Sequence, residues 1–332
     1  MKVEATVVRR QSDLKSESGS LSENPLRPLT GLVLSSGGAK GLAHIGVIQV
    51  FEENGIRVDA VVGSSMGAYI AAVWAFGHDG LHMERLAREM EARWSLLRLI
   101  DPFLFPQGGL LRGERIRERL KASIGDARFS DLARPLRVVA TNLVTLERAV
   151  FSAGEVALAV TASSAIPGMC APVMIDDVLY FDGGVVDPLP VDVARNMGMD
   201  IVIAVNVVPT PAHLRSRLNA VRHTQSGNSP GALRRWLRLT RRGARPCSVL
   251  DVLHRTMLGA QMRLAGHSGQ QADVVLRPLS IDGRWHDFHR AANYIALGRR
   301  AAEEHLPEIK RLLQTKPAHE HGAPKHPLAA AA

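Results

Sequence analysis

Apolar residues along this chain come in two registers, short unbroken runs and helical spacing. Leu32-Val33-Leu34 is a run of strand length that ends in Gly37-Gly38-Ala39-Lys40-Gly41. Apolar residues then fall at Ile45, Ile48 and Phe51, a helical spacing that closes at Asn54-Gly55. A second run, Val58 to Val62, enters Gly63-Ser64-Ser65-Met66-Gly67, and Ala68 to Phe76 follows as a nearly all-apolar helix. Strand, turn, helix, repeated at once, predicts an α/β fold. Its central sheet should be mostly parallel, with helices on both faces.

The pattern continues to the end of the chain. Leu81 to Leu97 mixes charge with apolar residues at helical spacing and predicts a surface helix. A loop runs from Asp101-Pro102 to Gly109, and Leu111 to Ile124 is again amphipathic. Val138 to Thr141 and Arg148 to Phe151 predict short strands, with a helix from Glu155. Pro167 then biases the residue before it away from helical geometry. Val173-Met174-Ile175, Asp176-Asp177 and Val178-Leu179-Tyr180-Phe181 predict a hairpin with a two-residue turn. It delivers the chain to Asp182-Gly183-Gly184. A short helix to Gly198, a strand from Asp200 to Val208, a helix from Val249 to Leu264, a strand from Asp273 to Leu276 and helices from Asp287 to Leu313 complete the order.

Composition adds bounds. With 332 residues and 46% hydrophobic content there is ample material for a core. Two cysteines, Cys170 and Cys247, supply neither a disulfide framework nor a metal spacing, so no metal or cofactor is expected. No apolar segment reaches the twenty or so residues that span a bilayer, and the N-terminus lacks the apolar region of a secretory signal. Residues 1–25 and 315–332 read as disordered ends. Charge is concentrated in one place. Between Pro211 and Cys247 there are nine arginines and no acid, a charge of +9 that equals the net charge of the whole chain.

The candidate chemistry lies in the turns. Gly63-Ser64-Ser65-Met66-Gly67 has the G-x-S-x-G pattern of a nucleophile elbow, which makes Ser65 the candidate nucleophile. The first turn, Gly37-Gly38-Ala39, offers backbone N–H groups at a helix mouth, suited to a developing oxyanion; a phosphate-binding loop or a plain βα turn is the alternative. Both turns fall at the carboxyl edge of a parallel sheet, where open α/β folds bind ligands. A serine hydroxyl needs a base. The chain has thirteen histidines, and none has a setting that marks it out. A Ser-Asp-His order closed by His254, His267 or His286 is one arrangement. Asp182, between a strand and two glycines, is the other candidate, although an ordinary Asp-Gly turn has the same spacing.

Four blocks in this order, Gly37 to Gly41, Gly63 to Gly67, Ala162 to Pro167 and Asp182 to Gly184, resemble the patatin-like phospholipase family. The resemblance is to its bacterial members, which are similar to the catalytic domain of neuropathy target esterase. It is strong from Pro28 to Pro209 and looser from Val249 to Leu313. It implies a single three-layer α/β domain over residues 26–314, and a Ser-Asp dyad without histidine. Ser65 would be the nucleophile and Asp182 the base, with Gly37, Gly38, Ala39 and Lys40 as the oxyanion turn. The implied activity is hydrolysis of phospholipid or lysophospholipid esters through an acyl-enzyme. Two positions depart from the family. Ser36 stands where many relatives have glycine, and Cys170-Ala171-Pro172 where an aromatic residue commonly leads, which would enlarge the local pocket.

Residues 211–247 remain outside this resemblance as an Arg-rich insert or lid. Leu233 to Arg242 projects as a helix with Leu233, Trp236, Leu237 and Thr240 on one side and five arginines on the other. That is the composition of an interfacial helix facing an anionic membrane; a solvated, disordered insert is the alternative. No nucleic-acid-binding module surrounds it, so no nucleic acid is expected. A cytoplasmic protein peripheral to the inner face of the membrane is the corresponding expectation. Two rivals stay open: an α/β-hydrolase with a Ser-His-Asp triad, and a non-catalytic phosphate- or nucleic-acid-binding protein.

Overall fold

A computed structural model of the chain describes residues 27–89, 111–216, 249–280 and 283–316. The interfacial helix expected at 233–242, the two chain ends and the loop expected at 101–109 lie outside the described residues, as do residues 90–97 of the expected surface helix.

The described strands form one eight-stranded sheet. They are β1 (Thr30–Leu34), β2 (Ala60–Ser64), β3 (Leu136–Asn142), β4 (Arg148–Phe151), β5 (Val173–Ile175), β6 (Val178–Asp182), β7 (Ile201–Val205) and β8 (Val274–Leu276). The helices are α1 (Ala43–Glu53), α2 (Met66–Phe76), α3 (Gly80–Arg88), α4 (Glu114–Ile124), α5 (Val156–Ser163), α6 (Val191–Asn196), α7 (Val249–Ser268) and α8 (Ala291–Thr315). The pairs β1–β2, β1–β7, β2–β3 and β7–β8 are parallel. The pairs β3–β4, β3–β6 and β5–β6 are antiparallel. The sheet is thus parallel at its centre and antiparallel at one side, as the hairpin pattern requires.

Strand alternation separates two cores. Leu32, Leu34, Val61, Ile201, Ile203 and Val205 point to one face and pack with α1, α2 and α8. Val33, Val62, Val202 and Ala204 point to the other and pack with Val191, Ala194 and Ala265 of α6 and α7. Both faces are covered, which is why these strands read as unbroken apolar runs. The layers are helix, sheet, helix, in a single α/β domain.

Candidate active site

The register at β3 brings two distant turns together. Val139 pairs with Ser64 of β2 and Val150 of β4, so those strands lie on opposite edges of β3. Ala140 pairs with Ala149 of β4 and Asp182 of β6. It follows that β6 lies on the same edge as β2. One runs parallel to β3 and the other antiparallel, so their carboxyl ends meet head to head at Val139 and Ala140. A Cβ at Gly183 would stand 2.1 Å from the Val139 oxygen, so only glycine lets β6 end this close.

Beyond β2 the chain turns sharply into α2. Ser65 is the N-cap of that helix, with φ 55° and ψ −124°, a strained conformation for a residue with a Cβ. A Cβ at Gly67 would stand 2.1 Å from the Leu34 oxygen. The Ser65 N–H donates to Ser163 Oγ at 2.8 Å, and Ser163 Oγ donates to the Val139 oxygen at 2.6 Å. Ser163 thereby ties the elbow to β3. It lies inside a motif that was already marked, but its role was not evident in the sequence, because the contact spans 98 positions.

Ser65 Oγ donates to Asp182 Oδ2 at 2.7 Å. Asp182 is 3% exposed and held at every polar atom. Its N–H donates to the Ala165 oxygen at 3.0 Å, and its main-chain oxygen accepts from Thr141 Oγ1 at 2.9 Å. Oδ1 accepts from the Gly184 N–H at 2.7 Å. Burial pushes its carboxyl up to about 6, against the smaller downward pull of the Ser65 hydroxyl and the Gly184 N–H. None of the groups that set this value is a cation.

The glycine turn forms a 3-10 helix, Gly38–Leu42, leading into α1. Gly38 has φ 58° and lines the same cavity as Ser65. The Gly37 and Gly38 N–H groups have no hydrogen-bond partner among the described residues. The Ala39 N–H donates to the Trp285 oxygen at 2.6 Å, and the Lys40 N–H belongs to the 3-10 ladder itself. Of the four residues singled out in this turn, two therefore present free donors. The Trp285 contact crosses the whole chain and had no sequence signal.

The cavity beside Ser65 has a volume of about 380 Å3, within the range of about 300–1,000 Å3 usual for small-molecule sites. Its lining is mostly aliphatic and includes Leu42, Ile70, Ile166 and Cys170. Cys170, a thiol outside any disulfide and 6% exposed, is the residue of the departing Cys170-Ala171-Pro172 stretch that lines it.

Among the described residues no histidine is hydrogen-bonded to Ser65. His44 is fully buried and set against the Ser35 oxygen at 2.9 Å. A carbonyl only accepts, so the proton sits on Nε2, and burial pushes its pKa down to about 4. His286 lines the cavity, His254 lies 5.7 Å from the Trp285 ring, and His267 lies in the last turn of α7. No group of three or more potential metal ligands occurs among the described residues. No helix among them is long and apolar enough to cross a membrane.

A family model described as Patatin-like phospholipase matches residues 32–195. An uncharacterised NTE-family protein of Mycobacterium tuberculosis H37Rv is 32% identical, over 84% of this chain and 91% of its own length. Lysophospholipase nte1 of Aspergillus fumigatus is 31% identical, over 59% of this chain and 13% of its own. Human patatin-like phospholipase domain-containing protein 6 is 33% identical, over 60% of this chain and 15% of its own. The matched span contains both turns at the head-to-head junction.

Proposed function

The chain belongs to the patatin-like phospholipase family and is a lipid hydrolase of that type, related to NTE-family proteins; from that premise we propose that it cleaves phospholipid or lysophospholipid esters through a Ser65–Asp182 dyad. The observation that carries this reading is the 2.7 Å bond from Ser65 Oγ to a buried carboxylate that has no cation beside it among the described residues. The name lysophospholipase borne by one relative supports the ester class.

An aspartate with an ordinary pKa near 3.8 is a poor base for serine at neutral pH. Burial brings Asp182 to about 6, closer to the range where a general base works. As the ester carbonyl approaches, Asp182 Oδ2 takes the Ser65 proton and Oγ bonds to the carbonyl carbon. The carbonyl π electrons move onto oxygen. The Gly37 and Gly38 N–H groups hold that oxyanion, aided by the helix that starts behind them. On collapse the ester C–O bond breaks, and Asp182 returns the proton to the leaving alcohol. The same carboxylate then takes a proton from water, whose oxygen attacks the acyl-enzyme. Ser65 departs with the proton from Asp182, the fatty acid is released, and the dyad is restored.

The Arg-rich segment between Pro211 and Cys247 supplies the charge for an anionic membrane surface, where such substrates reside. A cytoplasmic protein that binds the inner membrane face peripherally fits that charge. Residues 26–314 form the proposed catalytic domain.

A fluorophosphonate probe with peptide mass spectrometry tests the nucleophile, and release of fatty acid from lysophosphatidylcholine tests the reaction. Wild type should be labelled on Ser65 and active, and Ser65→Ala neither. Label on another residue, or hydrolysis that survives Ser65→Ala, overturns the assignment.

A further inference from the structure

The cavity beside Ser65 has a direction, and the direction sets a length. Met66, Tyr69, Ile70 and Val73 all line it. These four positions are spaced as one stripe of α2, the helix that begins immediately after Ser65. Val73 lies eight positions beyond Ser65, so the stripe leads about 12 Å away from the hydroxyl at about 1.5 Å per residue. Met83 and Ala87 of α3 also line the cavity, and both are buried. Val73 is buried too, in the same core cluster as Met83 and Ala87.

An extended acyl chain advances about 1.3 Å per carbon, given C–C bonds of about 1.5 Å. About nine carbons fill 12 Å. We propose that Val73, Met83 and Ala87 close the cavity opposite Ser65 and so form a ruler that selects ester substrates with acyl chains of about eight to ten carbons. This inference rests on the reading of Ser65 as the acylated residue. It concerns how far the acyl chain extends from that oxygen along α2, which neither the family match nor the names of the relatives specifies. Each methylene placed on the stripe strengthens binding by up to about fourfold, from about 0.8 kcal/mol per buried CH2. Once the chain meets the wall the gain stops, because a longer chain must fold back or leave its end at the mouth. Ala87 is the sensitive position. It is small, and added bulk there shortens the cavity from the end opposite Ser65.

Two series of ligands test the ruler. In the first, p-nitrophenyl esters of 2 to 18 carbons are hydrolysed by wild type, Ala87→Val, Ala87→Phe and Met83→Ala. The expected wild-type kcat/KM rises to eight to ten carbons and does not rise further. Ala87→Val should move the optimum down by one or two carbons and Ala87→Phe by about four. Met83→Ala should move it up. In the second, saturated fatty acids of the same lengths raise the Tm of Ser65→Ala protein, with and without Ala87→Val. The largest Tm rise should occur at eight to ten carbons and move with the substitution. Ala87→Val keeps the test open if Ala87→Phe does not fold. Ser65-dependent hydrolysis whose length profile ignores Ala87 and Met83, or an optimum at 16 to 18 carbons, overturns the ruler and leaves the dyad standing. Length-selective binding without Ser65-dependent hydrolysis overturns the dyad and, with it, the ruler as a selector of ester substrates. Binding that is indifferent to length overturns the ruler by itself.

Discussion

The two edges of the sheet use the same residue type for different ends. At the amino edge three aspartates each stand one residue ahead of a parallel strand, Asp59 before β2, Asp200 before β7 and Asp273 before β8. Each accepts a main-chain N–H from the neighbouring strand region: Thr30 at 2.9 Å, Leu29 at 2.7 Å and Val202 at 2.7 Å. Asp59 is paired with Arg27 and Arg57, and Asp273 with Arg195 and Lys316. At the carboxyl edge Asp182 is more deeply buried and its side chain meets a hydroxyl and one N–H. Burial pushes the carboxyls of Asp59, Asp273 and Asp182 up. At Asp59 and Asp273 the cations and backbone donors outweigh it, and the net shift is down. At Asp182 a hydroxyl and one N–H oppose it, and the value climbs to about 6. A buried carboxylate fastens the fold when a cation accompanies it and becomes a usable base when none does.

The comparison breaks most visibly in rate. Asp182→Asn should lower kcat/KM for a lysophospholipid by about 10²–10⁴, the usual contribution of a general base, while Asp59→Asn stays within a few-fold of wild type. Equal losses in the two variants would erase the distinction between the edges.

Stability should separate the same residues with opposite sign. The folded-state pKa of Asp182 lies above the ordinary 3.8, so the fold favours its neutral form. That advantage is complete below about pH 4 and gone as pH rises through about 6. The difference is about two pKa units, on the order of 3 kcal/mol. Urea unfolding of Asp182→Asn should therefore gain on wild type between pH 4 and pH 7, and a parallel pH dependence in the two proteins would contradict this. Asp59 and Asp273 have depressed values. Their contribution is present above pH 4 and lost as pH falls below it. Asp59→Ala, which strands the Thr30 N–H and Arg27, should cost about 1–3 kcal/mol at pH 7 by chemical denaturation and less at pH 3. A cost undiminished at pH 3 would argue against a charge-based role.

Ser163 provides the smallest and most local test. Its hydroxyl accepts the N–H of the strained Ser65. Ser163→Ala should reduce kcat by about tenfold with KM nearly unchanged, the pattern of an interaction that matters mainly in the transition state. A change confined to KM would place Ser163 outside the positioning of the elbow.

Much of the carboxyl edge was legible in the sequence. The unbroken runs at Leu32 and Val61 gave buried strands, and Asp176-Asp177 gave the hairpin turn with both residues at positive φ. Asn54-Gly55 closed α1 where the pattern expected it. α4 begins at Glu114 instead of Leu111, because Leu111 is drawn into a bridge with Cys170. The meeting of β2 and β6 was not legible from spacing. It depends on which edge of β3 each strand takes, and only the pairing at Val139 and Ala140 fixes that. The glycine turn was legible as a group of donors, but not which of them are free. That depends on the Trp285 oxygen, 246 residues away from Ala39. The amino-edge aspartates carry no mark in the sequence, since a cation partner such as Arg27 or Lys316 is a tertiary fact.

The most direct test of the central claim is the rate at which a fluorophosphonate modifies Ser65 as a function of pH, in wild type and in Asp182→Asn. The account predicts that the wild-type rate rises with a single ionisation near pH 6 and then levels off, and that the variant is slow and lacks this rise. A wild-type rise near pH 4, or a rise near pH 6 that survives in Asp182→Asn, would contradict it.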